Sequence, residues 1–288
     1  VEVAQLLHLL GGPAGFVDHH RLHLHATEAL LVVRGRGAAL VDGLAMRGLI
    51  LALGFLTRLP LPAVRDYQPA EFARALAWFP AAGLVVGAAV ALAAALGAAL
   101  DPWLGALAGV AMWVWITSGL HLDGLADTAD ALGAAHRDPA RFLAVLADPH
   151  VGSFGVIALV LQLTAKLVLL HWLLTLELPW LALVLIPAWA RWSAAGWALL
   201  LPPLKPGLGE RLSRTGNRAG WIAGGLALAA ISAASPFAFA ALVPALLWGV
   251  WMRLKLGGQS GDILGAGIEW CESAALLLAG VFFVAIIL

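Results

Sequence analysis

"PAAGLVVGAAVALAAALGAAL", residues 80–100, is built only from Pro, Ala, Gly, Leu and Val. A helix over this window is about 30 Å long, the thickness of the hydrocarbon core of a bilayer. It is apolar all round rather than along one stripe, which suits lipid or complete burial and not the surface of a soluble domain. Working outward, comparable windows occupy 103–120, 154–176, 180–201, 220–234, 237–252 and 273–288. The whole chain agrees, with 62% hydrophobic and 12% charged residues, where soluble domains carry about 25% charged. The fold expected is therefore an all-α polytopic membrane protein with about seven transmembrane helices arranged as hairpins.

The connections differ sharply in character. Those around Asp101-Pro102, Leu178-Pro179 and Ser235-Pro236 are tiny and lack Lys and Arg. The segments 57–79, 121–153, 202–219 and 253–272 are long and carry three, two, four and two Lys/Arg. The positive-inside rule puts these four polar segments, and any site they build, on the cytoplasmic face. Trp78, Trp103, Trp180, Trp221 and Trp251 near window ends fit an interfacial belt. Formal net charge is zero, which gives no electrostatic case for nucleic acid. The single cysteine, Cys271, excludes an internal disulfide and a Cys-rich zinc site.

Residues 1–45 stand apart. They contain no span-length window and hold five of the nine histidines. The His-rich spacing of His19, His20, His23 and His25 is by itself a weak metal signal, so the segment reads as an unstructured or spurious extension rather than a metal site. "MRGLILALGFLTRLPLP" from Met46 reads as a natural start, leaving 46–288 as the membrane-embedded domain.

Acids concentrate in "HLDGLADTADA", residues 121–131. On a helix, Asp123, Asp127 and Asp130 fall at i, i+4 and i+7, within about 60° of arc. Carboxylates stacked this way repel unless a cation neutralises them, and no Lys or Arg is interleaved. Hard oxygen donors without thiolate favour Mg²⁺ or Mn²⁺. A second polar cluster, "LGGQSGDILGAGIEWCESA" at 256–274, offers Gln259, Ser260 and Asp262 among glycines, followed by Glu269 and Glu272. A third, "LADPHVGSFG" at 146–155, offers Asp148 and His150, or merely an Asp-Pro turn. His136 reads as part of a surface turn, and His171 as a helix contact.

Lys166 and Arg191 lie within spans, where a charge costs about 2.5–3.5 kcal/mol on insertion scales, so both should face a polar interior. They suit an anionic substrate, or else pair structurally with one another or with an acid such as Asp148. Arg58 in "LTRLP" is a further candidate for phosphate, and His121 joins the substrate-contact set beside the acids. A cation held by carboxylates, glycine turns and arginine at one membrane face suits diphosphate chemistry. No P-loop or kinase signature is present.

Five motifs, in order, resemble the cobalamin synthase (adenosylcobinamide-GDP ribazoletransferase) family: "FLTRLPLP" (55–62), "FPAAGLVVG" (79–87), "LHLDGLADTADAL" (120–132), "DPHVGSFG" (148–155) and "GGQSGDILGA" (257–266). The resemblance runs from Met46 to the C-terminus. It implies a Mg²⁺-dependent enzyme of the cell inner membrane that joins adenosylcobinamide-GDP to α-ribazole, or to its 5′-phosphate, and releases GMP. It further implies that the metal on Asp123, Asp127 and Asp130 grips the diphosphate while Asp130 or Asp262 acts as base, a choice the sequence leaves open. A homo-oligomer, or a complex with other cobalamin-assembly enzymes, is compatible with it. A CDP-alcohol phosphotransferase is the runner-up: it shares "DGLA", but Asp127 stands where that family's pattern has Arg. A secondary transporter would place facing broken helices at the midplane, whereas these acids cluster at one edge.

Overall fold

The structure is a computed structural model that describes residues 44–64, 71, 74–135, 138–207, 210, 213 and 216–287. The proposed extension at 1–45, save for its last two residues, and His136 lie outside the described residues. Ten α-helices are described: α1 (Leu44–Leu56), α2 (Phe79–Ala98), α3 (Pro102–Thr117), α4 (Leu120–Ala134) and α5 (Pro139–Val145), then α6 (Ser153–Thr175), α7 (Trp180–Leu200), α8 (Arg218–Ser232), α9 (Leu242–Trp251) and α10 (Gly261–Ile287). A 3₁₀ turn, Ala75–Trp78, leads into α2; another, Pro236–Ala241, leads into α9, which ends in a π-type turn at Met252–Leu256.

Each apolar window read from the sequence falls on a helical stretch, though not always with the same bounds. Among the described residues, five stretches are long and apolar enough to cross a membrane: Ala75–Ala98, Ser153–Thr175, Trp180–Leu200, Pro236–Leu256 and Gly261–Ile286. The count is six if the bent pair α3–α4 is one span, against the seven windows read from the sequence. The difference rests on α8, whose 15 residues rise only about 22 Å. One boundary is corrected. The last helix begins at Gly261, not near 273, so Glu269 and Glu272 belong to its buried face and not to a loop.

Burial sorts the helices into a centre and a lipid-facing ring. The span window of α7 is 83% buried, and that of α6 only 17%. Leu92, Leu96, Leu161, Leu226 and Leu246 project outward, as an apolar solvent permits. Lipid tails are as apolar as leucine, so helices associate here mainly through close van der Waals contact at small residues. The α2–α7 pair shows this. A Cβ on Gly83 would strike the backbone of Ala188, and one on Gly87 the backbone of Val184.

The end of the bundle that matters is shaped by one bend. Ser118 (φ 55°) and Gly119 (φ 68°) adopt left-handed backbone after α3, and α4 leaves at 87°. The bend turns α4 off the axis of α3, and α4 packs beside the starts of α10 and α6. There it meets the start of α10, the 146–152 turn and the 202–206 segment, so three of the long connections gather at one place.

Candidate active site

Along α4 burial is graded: Asp123 is exposed, Asp127 half-buried and Asp130 buried. Gly124, between the first two, lets the start of α10 come close, since a Cβ there would stand 2.6 Å from the Asp262 carbonyl oxygen. Asp262 occupies the first turn of α10 and faces the same acids. Burial first, then the charges of Asp123 and Asp262, push the Asp127 carboxyl up to about 7, against an opposing pull from Lys205.

Among the described residues, Lys205 is the cation of this cluster. Its Nζ donates to Asp262 Oδ2 at 2.9 Å and, more weakly, to the Leu146 carbonyl at 3.5 Å. The segment carrying it is pinned by a short ladder: Gln259 N–H donates to Pro202 O and Leu204 N–H donates to Gln259 O, each at 2.9 Å. Gln259 and Ser260 are both buried, and the Ser260 hydroxyl lies 3.4 Å from Asp262 Oδ2. Gly257, at φ 77°, makes the turn that separates this ladder from the preceding helix.

The expected three-carboxylate metal site is only partly assembled. Among the described residues, no three His, Cys, Asp or Glu side chains converge to hold one ion. Both Asp130 oxygens are turned to backbone, accepting from Gly152 N–H at 2.7 Å and Gly155 N–H at 2.9 Å. Asp123 and Asp127, one turn apart, remain as a pair. That pair fits Mg²⁺, which is commonly bound by one or two carboxylates together with substrate phosphates; a bound cation would relieve the repulsion among Asp123, Asp127 and Asp262.

Asp148 and His150 stand exposed on the turn before α6, with His150 Nδ1 2.6 Å from Asp148 Oδ1. That hydrogen bond holds the Asp148 carboxyl below the usual range. Arg58 is exposed at the end of α3, its guanidinium carbon 5.1 Å from the centre of the Trp115 ring and its backbone N–H on Ile116 O at 2.8 Å. His121 is buried, and neither ring nitrogen has a hydrogen-bond partner among the described residues.

Lys166 and Arg191 are buried among the helices. Lys166 Nζ donates to Glu269 at 2.7 Å and to Glu272 at 2.6 Å, and rests 4.2 Å from the centre of the Trp113 ring. Arg191 Nη1 donates to Glu272 and to the Pro187 carbonyl. Gln162 Nε2 completes the group on Glu269 at 2.9 Å. Two cations meet two anions, so the network is neutral. The structural alternative read from the sequence thus has its partners, though they are the α10 glutamates rather than Asp148.

Sequence reasoning missed Lys205 and this pairing. Two basic and two acidic residues inside apolar surroundings were a usable signal, because buried charges pair. Lys205 carried no such mark. It is one cation among several in a polar loop, and only the fold brings it to Asp262.

The cobalamin-5-phosphate synthase family model matches residues 48–280. A relative from Thiobacillus denitrificans named adenosylcobinamide-GDP ribazoletransferase is 85% identical over 236 residues, covering 82% of this chain and 96% of the relative. Relatives of the same name from Novosphingobium aromaticivorans and Laribacter hongkongensis are each 55% identical; each alignment covers 81% of this chain, and 95% and 96% of the respective relatives. No solved structure matches. A family model that spans most of the chain, with relatives aligned over nearly their whole length, settles the affiliation: the chain belongs to the cobalamin-5-phosphate synthase family.

Proposed function

We infer that this multi-pass membrane protein is an adenosylcobinamide-GDP ribazoletransferase, acting in the final assembly of cobalamin. It transfers adenosylcobinamide phosphate from adenosylcobinamide-GDP to α-ribazole, or to α-ribazole 5′-phosphate, and releases GMP. The observation that carries this reading is the 85% identity to a ribazoletransferase over 96% of that protein's length. The acid cluster supplies the chemistry the reaction needs.

In this reading a ribazole hydroxyl oxygen bonds to the phosphorus attached to cobinamide, the bridge to the second phosphorus breaks, and GMP departs with its oxygen. Asp123 and Asp127 would hold Mg²⁺, which when bound neutralises charge on the diphosphate. Asp262 is fastened by Lys205 through one oxygen, which leaves the other to take the hydroxyl proton. Lys205, on Asp262, and the exposed Arg58 and His150 suit phosphate oxygens. Asp148 holds the His150 ring, while Gln259 and Ser260 anchor the start of α10. Lys166 and Arg191 serve the site from below, by holding α6, α7 and α10 together.

The Lys/Arg bias of the long connections supports an inner-membrane orientation with this end toward the cytoplasm. The test of function is conversion by membranes containing the chain. Adenosylcobinamide-GDP and α-ribazole should give GMP and a complete corrinoid in equal amounts, and Asp127→Asn should abolish both. GMP release without the corrinoid product, or CMP release from a CDP-alcohol instead, would refute it.

A further inference from the structure

The start of α6 lacks a cap of its own. Gly152, the N-cap residue, is extended and has no side chain to accept from the first turn. Helices usually satisfy these N–H groups locally: an N-cap Ser or Asp takes the third residue's N–H, and an acid three positions on reaches back to the N-cap N–H. Here one carboxylate from another helix takes both. Gly152 N–H donates to Asp130 Oδ2 and Gly155 N–H donates to Asp130 Oδ1, with the side chain buried. The negative charge also sits favourably at a helix N-terminus.

The two glycines are what let the carboxylate seat. A Cβ on Gly152 would stand 2.5 Å from Asp130 Oδ1, and one on Gly155 would press still closer on Oδ2. Asp130 lies one turn beyond Asp127, and Gly152 lies two residues beyond His150. The contact therefore joins the acid-bearing helix to the turn that presents Asp148 and His150.

We propose that Asp130 is a positioning residue, a clasp that docks the 148–155 segment onto α4 and sets Asp148 and His150 against the Asp123–Asp127 pair. It acts through Gly152 and Gly155, not on the metal and not as the base. Only the kinetic arm of its test rests on the ribazoletransferase reading.

The experiment compares Asp130→Ala, which deletes the clasp, with Gly155→Ala, which keeps the carboxylate but displaces it. In the detergent-solubilised full chain, exchange of the Gly152 and Gly155 amides should quicken by about tenfold or more in each variant, and no further in the double variant. Both should raise KM for adenosylcobinamide-GDP while leaving half-saturating Mg²⁺ within about twofold of wild type. Asp130→Ala with Gly152→Ser gives α6 a local cap; it should restore the amount of folded protein but not KM. Unchanged amide exchange in Asp130→Ala would overturn the clasp. So would a Mg²⁺ requirement raised about tenfold in Asp130→Ala but not in Gly155→Ala, which identifies a ligand. Full kinetic recovery with Gly152→Ser would reduce Asp130 to a helix cap. If the wild-type chain does not convert adenosylcobinamide-GDP, the enzymatic reading fails and amide exchange alone decides the clasp.

Discussion

Replacing Glu272 by Gln tests the buried network most sharply. The Glu272 carboxylate is fully buried and takes Lys166 at 2.6 Å on one oxygen and Arg191 on the other. Gln keeps the volume but removes the charge, leaving two buried cations with the single carboxylate of Glu269. Breaking a buried pair from one side costs about 3–5 kcal/mol, because the abandoned charge stays desolvated. Removing Arg191 as well, in Arg191→Met/Glu272→Gln, takes away one charge of each sign and leaves the Lys166–Glu269 pair intact at 2.7 Å. Neutral replacement of a buried pair is often without net cost, so the double variant should recover most of the loss, to within about 1–2 kcal/mol of wild type. The assay is SDS-driven unfolding in mixed micelles, followed by tryptophan fluorescence; Trp113, under Lys166, reports on the site. A Glu272→Gln protein as stable as wild type would refute the reasoning. A double variant destabilised by the sum of its singles would do the same, since it would mean that the charges act independently.

Other consequences concern the site and its scaffold. Because the Asp127 carboxyl is raised from 3.8 to about 7, ionising it opposes folding. Without divalent cations, stability should therefore fall as pH rises through that window and level off above it; Mg²⁺ should restore it at the upper end, and Asp127→Asn should flatten the profile. Thermal melts from pH 5 to 8, with and without Mg²⁺, check the sign. His150→Ala, at an exposed position, should leave melting unchanged but raise KM for adenosylcobinamide-GDP by about three- to tenfold, read from initial rates of GMP release. Gly87→Ala pushes a methyl into the backbone of Val184, which has no side-chain freedom to yield; a loss of about 1–3 kcal/mol in the same micelle titration is expected.

How much of this was legible in the sequence differs from residue to residue. The spans were, because in lipid each helix must satisfy its own backbone, and a run such as 80–100 announces itself by composition alone. The stacking of Asp123 and Asp127 was legible too, since it follows from helical period within one element. What lay beyond reach was every relation between elements. Glu269 and Glu272 read as loop acids until α10 was found to begin at Gly261. Lys205 became part of the site only because a ladder through Gln259 pins its segment beside Asp262. Asp130 shares a helix face with Asp127, yet its carboxylate turns to Gly152 and Gly155. Periodicity says which side chains share a face. Which of them meet a cation, a backbone N–H or solvent depends on what packs opposite, and that is decided by contacts between residues 22 to 107 positions apart.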